Sequence, residues 1–184
     1  PLKTLRENIG YVPQDNFLFS NTLKSNIAFG VENEEMEEIT KATMAACIHE
    51  NIIDFPKGYE TIVGERGVTL SGGQKQRSSI ARALIKDAPI LILDDALSAV
   101  DTNTEENILK NLKENRKGKT TILIAHRIST IKNADIIMVL DDGKIREVGT
   151  HTELVSNNDL YKDMFEKQKL EESLKERENN ISDI

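Results

Sequence analysis

Apolar residues fall in short blocks along this chain, and their spacing alternates between extended and helical periods. Ile9-Gly10-Tyr11-Val12 is a compact apolar run closed by Pro13, which predicts a buried strand ended by a residue that cannot donate to a ladder. Gln14 and the turn pair Asp15-Asn16 follow. Thr22 opens a short helix expected over 22–29. The acidic run 32–38 leads a second helix reaching about His49, with glutamates suited to a helix N-terminus. A further short helix is expected over 51–55, before the turn Pro56-Lys57-Gly58. From Gly73 to Lys86 the period is helical, with Ile80, Ala83 and Leu84 on one stripe.

Beyond this point extended and helical blocks alternate. Ile90-Leu91-Ile92-Leu93, held between Pro89 and two aspartates, reads as a buried parallel strand. A helix over 103–115, a strand over 120–125, a short helix near 128–132 and a strand over 135–140 come next. Asp141-Asp142-Gly143 predicts a hairpin turn into a strand over 144–148. Thr150 and Glu153 match a capping box, so a helix starts there, and the last 25 or so residues are helical in pattern with a charged end. The expected fold class is α/β, a parallel sheet layer with a helical lobe set into it. The lobe is expected over about 16–86, the core over 1–15 and 87–165, and a charged helix or tail over 166–184.

Composition narrows the classes. Apolar residues make up 38% of the 184, enough for a lean core, and no stretch approaches the ~20 apolar residues of a membrane span. A net charge of −7 argues against a bulk binder of nucleic acid or anionic membrane. The single cysteine, Cys47, forms no internal disulfide and reads as a small apolar residue on a helix.

Candidate chemistry centres on Leu70-Ser71-Gly72-Gly73-Gln74. Bare N–H groups at a helix start, with the helix dipole behind them and a serine hydroxyl beside them, suit a phosphate oxygen. The same residues fit an ordinary helix start with an N-cap serine. Asp94 and Asp95 stand at the carboxyl end of a strand, where open α/β sheets meet ligands. One carboxylate there can hold Mg²⁺ through water and the next can orient an attacking water. A helix-capping turn also accounts for the pair. His126 stands at another strand end, within reach of a γ-phosphate in the same scheme, while His49 and His151 read as surface or capping residues.

In their order and spacing these residues resemble the nucleotide-binding domain of ABC transporters, over about 5–165. Tyr11-Val12-Pro13-Gln14 is similar to the Q-loop, the 70–74 segment to the family signature with its following Lys75-Gln76-Arg77, and 90–94 to the Walker B strand. Ser98-Ala99-Val100-Asp101 resembles the D-loop and His126 the switch histidine. The resemblance implies a P-loop NTPase-like fold using ATP and Mg²⁺. Catalytic roles fall to Asp95, His126 and Gln14, and Mg²⁺ contacts to Asp94 and Gln14. Ser71, Gly72, Gly73, Gln74 and Asp101 would meet ATP held by a second such domain in a head-to-tail dimer. Val63-Gly64-Glu65-Arg66-Gly67 is similar to the X-loop of exporters, so Glu65 and the Gln14 loop would face the coupling helices of a membrane domain. That places the chain at the cytoplasmic face of the cell membrane, with no nucleic acid partner.

Two departures shape the expectation. No G-x-x-x-x-G-K-[ST] motif occurs in the 184 residues, and Gly118-Lys119-Thr120 reads as a turn before a strand. The family carries its P-loop upstream of the Q-loop, so the chain, which opens on Pro1, is expected to be the back part of such a domain and inactive alone. Asp95 also stands where the family usually has glutamate, and Leu97 where it has threonine. An aspartate there resembles the degenerate subunit of heterodimeric exporters. A soluble ABC protein acting on DNA or ribosomes, or a non-catalytic module, are the alternatives.

Overall fold

The computed structural model describes residues 1–32, 35–64 and 67–182. Its chain divides into two compact units, Pro1–Ala125 and His126–Ile184. Glu65 lies outside the described residues.

The first unit is built on three short strands, β1 (Ile9–Val12), β2 (Ile90–Asp94) and β3 (Thr120–Ile124), in that order and all parallel. Parallel neighbours need crossovers, and the helices supply them. A six-residue helix, α1 (Leu2–Glu7), precedes β1 and has no buried residue, which explains why its apolar pattern gives no signal. Between β1 and β2 come α2 (Leu23–Ile27), α3 (Met36–Ala45), α4 (His49–Ile53) and the long α5 (Gly72–Ile85); α6 (Thr102–Asn115) joins β2 to β3. Thr22 caps α2, its side chain accepting the Ser25 N–H.

The helix expected to reach His49 stops at Ala45 because Cys47 takes a left-handed backbone, φ 53°, and α4 restarts at His49. Cys47 is therefore a half-buried residue of the break, not of the helix. Burial pushes its thiol above the ordinary range. His49 is half-buried, with Nδ1 2.8 Å from the Tyr59 hydroxyl, and that hydroxyl also contacts the buried Thr43.

Leu23, Ile27, Ile39, Ile52, Ile80 and Ile108 meet Val12, Leu91 and Leu93 of one sheet face in a single core. Among the described residues the opposite face is uncovered. Tyr11 is 54% exposed and Ile124 49%, and Ile90 and Ile92 are half-buried. The apolar run 90–93 thus alternates in burial, although its continuity predicts a strand covered on both faces.

In the second unit, α7 (Ile128–Ile131) is followed by an antiparallel hairpin of β4 (Ile137–Asp141) and β5 (Lys144–Gly149). Asp142 and Gly143 both have positive φ, 47° and 71°, as a two-residue turn matching the strand twist requires. Helix α8 (His151–Ser156) starts with the expected capping box of Thr150 and Glu153, and α9 (Leu160–Ser182) follows. Ile128, Ile137, Val139, Leu154 and Tyr161 form this unit's core. His151 is tied into it, Nδ1 lying 2.8 Å from the Tyr161 hydroxyl.

Candidate functional site

The parallel ladder decides what meets at its carboxyl edge. Val12 pairs with Leu93 and Asp94 with Ile124, so Gln14, Asp94 and Asp95 all emerge at one end of the sheet. The Tyr11 hydroxyl donates to Asp94 Oδ2 at 3.2 Å. Partial desolvation and then this hydrogen bond to the carboxylate raise the Tyr11 phenol above its ordinary range. Gln14 is exposed and Asp94 half-buried.

Asp95 turns the chain. Its φ is 48°, its N–H donates to the Ile124 carbonyl at 2.9 Å, and its own carbonyl accepts the Ser98 hydroxyl at 2.9 Å. Short polar residues tolerate this left-handed backbone better than longer ones.

The start of α5 lies against the segment that follows. Ser71 is the N-cap: its Oγ accepts the Gln74 N–H at 3.2 Å, and Gln74 Oε1 accepts the Ser71 N–H at 3.0 Å. The N–H groups of Gly72 and Gly73, in the first turn, have no intrahelical acceptor. A Cβ on Gly73 would stand 2.8 Å from the Ala99 carbonyl oxygen, so only glycine allows the helix this close to 98–101. Gln76 seals the contact. It is 6% exposed, donates from Nε2 to Ser98 Oγ at 3.0 Å, and accepts the Ala99 N–H on Oε1 at 2.9 Å.

Asp101 caps α6 by accepting the Thr104 N–H at 3.0 Å, and this bond holds its carboxyl below the usual range. Arg77 donates to the Gly73 carbonyl at 3.3 Å and to the Cys47 carbonyl, linking the left-handed break to α5. Burial lowers the Arg77 guanidinium's proton affinity.

Two anchors escaped the sequence reading. Arg82 donates to the Phe17 carbonyl, the Asn26 carbonyl and Asn26 Oδ1 at 2.7–2.9 Å, and its guanidinium lies over the rings of Phe19 and Phe29. It thereby fastens the loop after Gln14 to α5. In the second unit His126 is exposed, and Gln168 of α9 holds the backbone around it. Its Nε2 donates to the His126 carbonyl at 2.7 Å and its Oε1 accepts the Ile128 N–H at 2.8 Å. The only sequence signal for Gln168 is a single glutamine in a charged helix, which carries no pattern.

The residues present fit a phosphate and a divalent cation: an exposed serine hydroxyl and unpaired N–H groups at a 14-residue helix start, and oxygen donors on Gln14 and Asp94. A parallel sheet offering carboxylates at its carboxyl edge, beside a glycine-led helix start, is the arrangement in which open α/β proteins meet their ligands. Comparison makes the assignment specific. The chain belongs to the ABC transporter family, whose model matches residues 1–98. It is 54% identical over 170 residues to a probable multidrug resistance ABC transporter ATP-binding/permease protein, YheI, of Bacillus subtilis, covering 92% of this chain and 29% of that protein. It is 49% identical over 168 residues to the heavy metal tolerance protein of Schizosaccharomyces pombe, covering 91% and 20%. The solved structure of a bacterial Atm1-family ABC exporter with ATP bound superposes with a TM-score of 0.86 at 46% identity, over 90% of this chain and 29% of that one. The chain thus spans less than a third of the length of these relatives.

Proposed function

We propose that the chain is most of the nucleotide-binding domain of an ATP-driven exporter, working at the cytoplasmic face of a membrane and coupled to a membrane domain. The contact of the 70–74 helix start with 98–101, next to Asp94 and Asp95, supports this reading best. A relative named as a multidrug resistance ATP-binding/permease protein, and one named as an ABC exporter and solved with ATP bound, favour it over a soluble family member acting on DNA or ribosomes.

In this reading Gln14 and Asp94 would hold Mg²⁺, largely through water. The ion, when bound, neutralises charge on the phosphates. Asp95 orients the attacking water and His126 meets the γ-phosphate. Ser71, Gly72, Gly73, Gln74 and Asp101 act in trans on ATP held by a second nucleotide-binding domain, in a head-to-tail dimer. Gln14 and Glu65 pass the movement to the coupling helices.

Asp95 is one methylene shorter than glutamate, and a misplacement of ~1 Å can cost ~100-fold in rate. The chain's own site is therefore slow, and its signature completes an active site in a different partner subunit. Replacing Asp95 by Glu in the full-length, partner-assembled protein should raise turnover at this site; unchanged single-site turnover would count against a degenerate site. A polypeptide of these 184 residues, carrying no P-loop motif, should release no phosphate from ATP. Steady phosphate release by it would overturn that part of the reading.

A further inference from the structure

We infer that Gln76 is a positioning residue that locks the Asp95 turn and the 98–101 segment to the signature helix. The inference rests on the exporter reading above and names a device within that same site. The amide of Gln76 is buried and both its ends are used: Oε1 takes the Ala99 N–H at 2.9 Å, and Nε2 gives to Ser98 Oγ at 3.0 Å and more weakly to the Asp95 carbonyl at 3.4 Å. Because Ser98 Oγ itself donates to the Asp95 carbonyl at 2.9 Å, hydrogen bonds run in series from α5 through Ser98 to Asp95. The N–H of Asp95 is fixed independently by Ile124. Asp95 is thus pinned from both of its peptide groups, and one of the two restraints passes through Gln76.

The second contact sits one helical turn away, where Gly73 approaches the Ala99 carbonyl. That contact sets distance and Gln76 sets register. A side-chain amide offers a donor and an acceptor in a single plane at any ordinary pH. Loss of it leaves the 95–99 turn in van der Waals contact with α5 but free to shift along it. The carboxylate of this site and the glycines offered to the partner's site then lose their common frame.

The experiment uses the full-length protein assembled with its partner, and reads ATP hydrolysis and thermal unfolding together. Gln76→Met keeps volume and removes both hydrogen-bonding ends. The expected result is a kcat reduced about tenfold or more, a KM for ATP within about twofold, and a Tm within a few degrees of the parent. Ser98→Ala, which breaks the same series, should add little to Gln76→Met in the double variant. A Gln76→Met protein with kcat within about twofold of the parent overturns the inference, as do losses that track Tm or that add fully with Ser98→Ala. An assembled parent that hydrolyses no ATP overturns the exporter reading and this inference with it. An active parent beside an undisturbed Gln76→Met overturns this inference alone.

Discussion

At Gly73 a single methyl group has nowhere to go, since the atom it would meet is a backbone oxygen. Gly73→Ala should therefore cost about 1–3 kcal/mol through overpacking, seen as a lower urea midpoint. Gly72→Ala, whose added carbon would touch only the Ala99 methyl at 3.5 Å, should cost less. The capping carboxylates Asp101 and Glu153 behave differently. Each accepts a backbone N–H, from Thr104 and Thr150 respectively, and each lies below its ordinary range for that reason. A depressed folded value means stability that is complete above the unfolded carboxyl value of about 4 and is lost as the pH falls through and below it. Asp101→Asn retains a capping oxygen without the titration, so its urea midpoint should fall less between pH 6 and pH 3 than that of the parent. Residues with a spacing rule behind them, such as Thr150 with Glu153, or Ser71 as an N-cap serine, are readable as a string. Gln76, Arg82 and Gln168 are not, because each reaches a partner 22 to 65 positions away that no local pattern announces.

Helices and strands follow the apolar period wherever one face is buried against the rest, as in α5 and α6. The period misplaces ends where backbone geometry intervenes. Cys47 ends the first of two expected helices at Ala45, short of His49, and α4 covers His49–Ile53 where 51–55 is expected; nothing in the Cys47 side chain foretells a left-handed residue. The charged pattern of α9 likewise hides the clamp of Gln168 on 126–128, which acts beside the burial of Tyr161 in the unit's core. Gln168→Ala should raise amide hydrogen exchange at Ile128 several-fold while leaving the β4–β5 hairpin protected, a contrast that exchange with mass readout checks.

On the scale of the whole molecule, the parallel α/β class follows from alternating blocks, but the strand order and the uncovered face do not, since a string shows what is apolar and not what pairs or is covered. Among the described residues β3 pairs on one side only, and Ile122 and Ile124 are exposed along it. An unprotected apolar edge invites pairing. The 184-residue chain should sediment partly as dimers and larger species at tens of micromolar, and Ile122→Lys with Ile124→Lys should shift it towards monomer.

The fit of α5 against 95–101 also bears on how such domains can be recombined. Helix start, buried amide and turn form one mould, each part shaped on the others. A chimera that imports only the five signature residues from a relative should inherit a misfit at Ala99 whenever the two backbones differ there. The smallest transferable piece is the signature helix together with the turn it grips, so sequence exchange in this region has to proceed in blocks of about thirty residues rather than by motif.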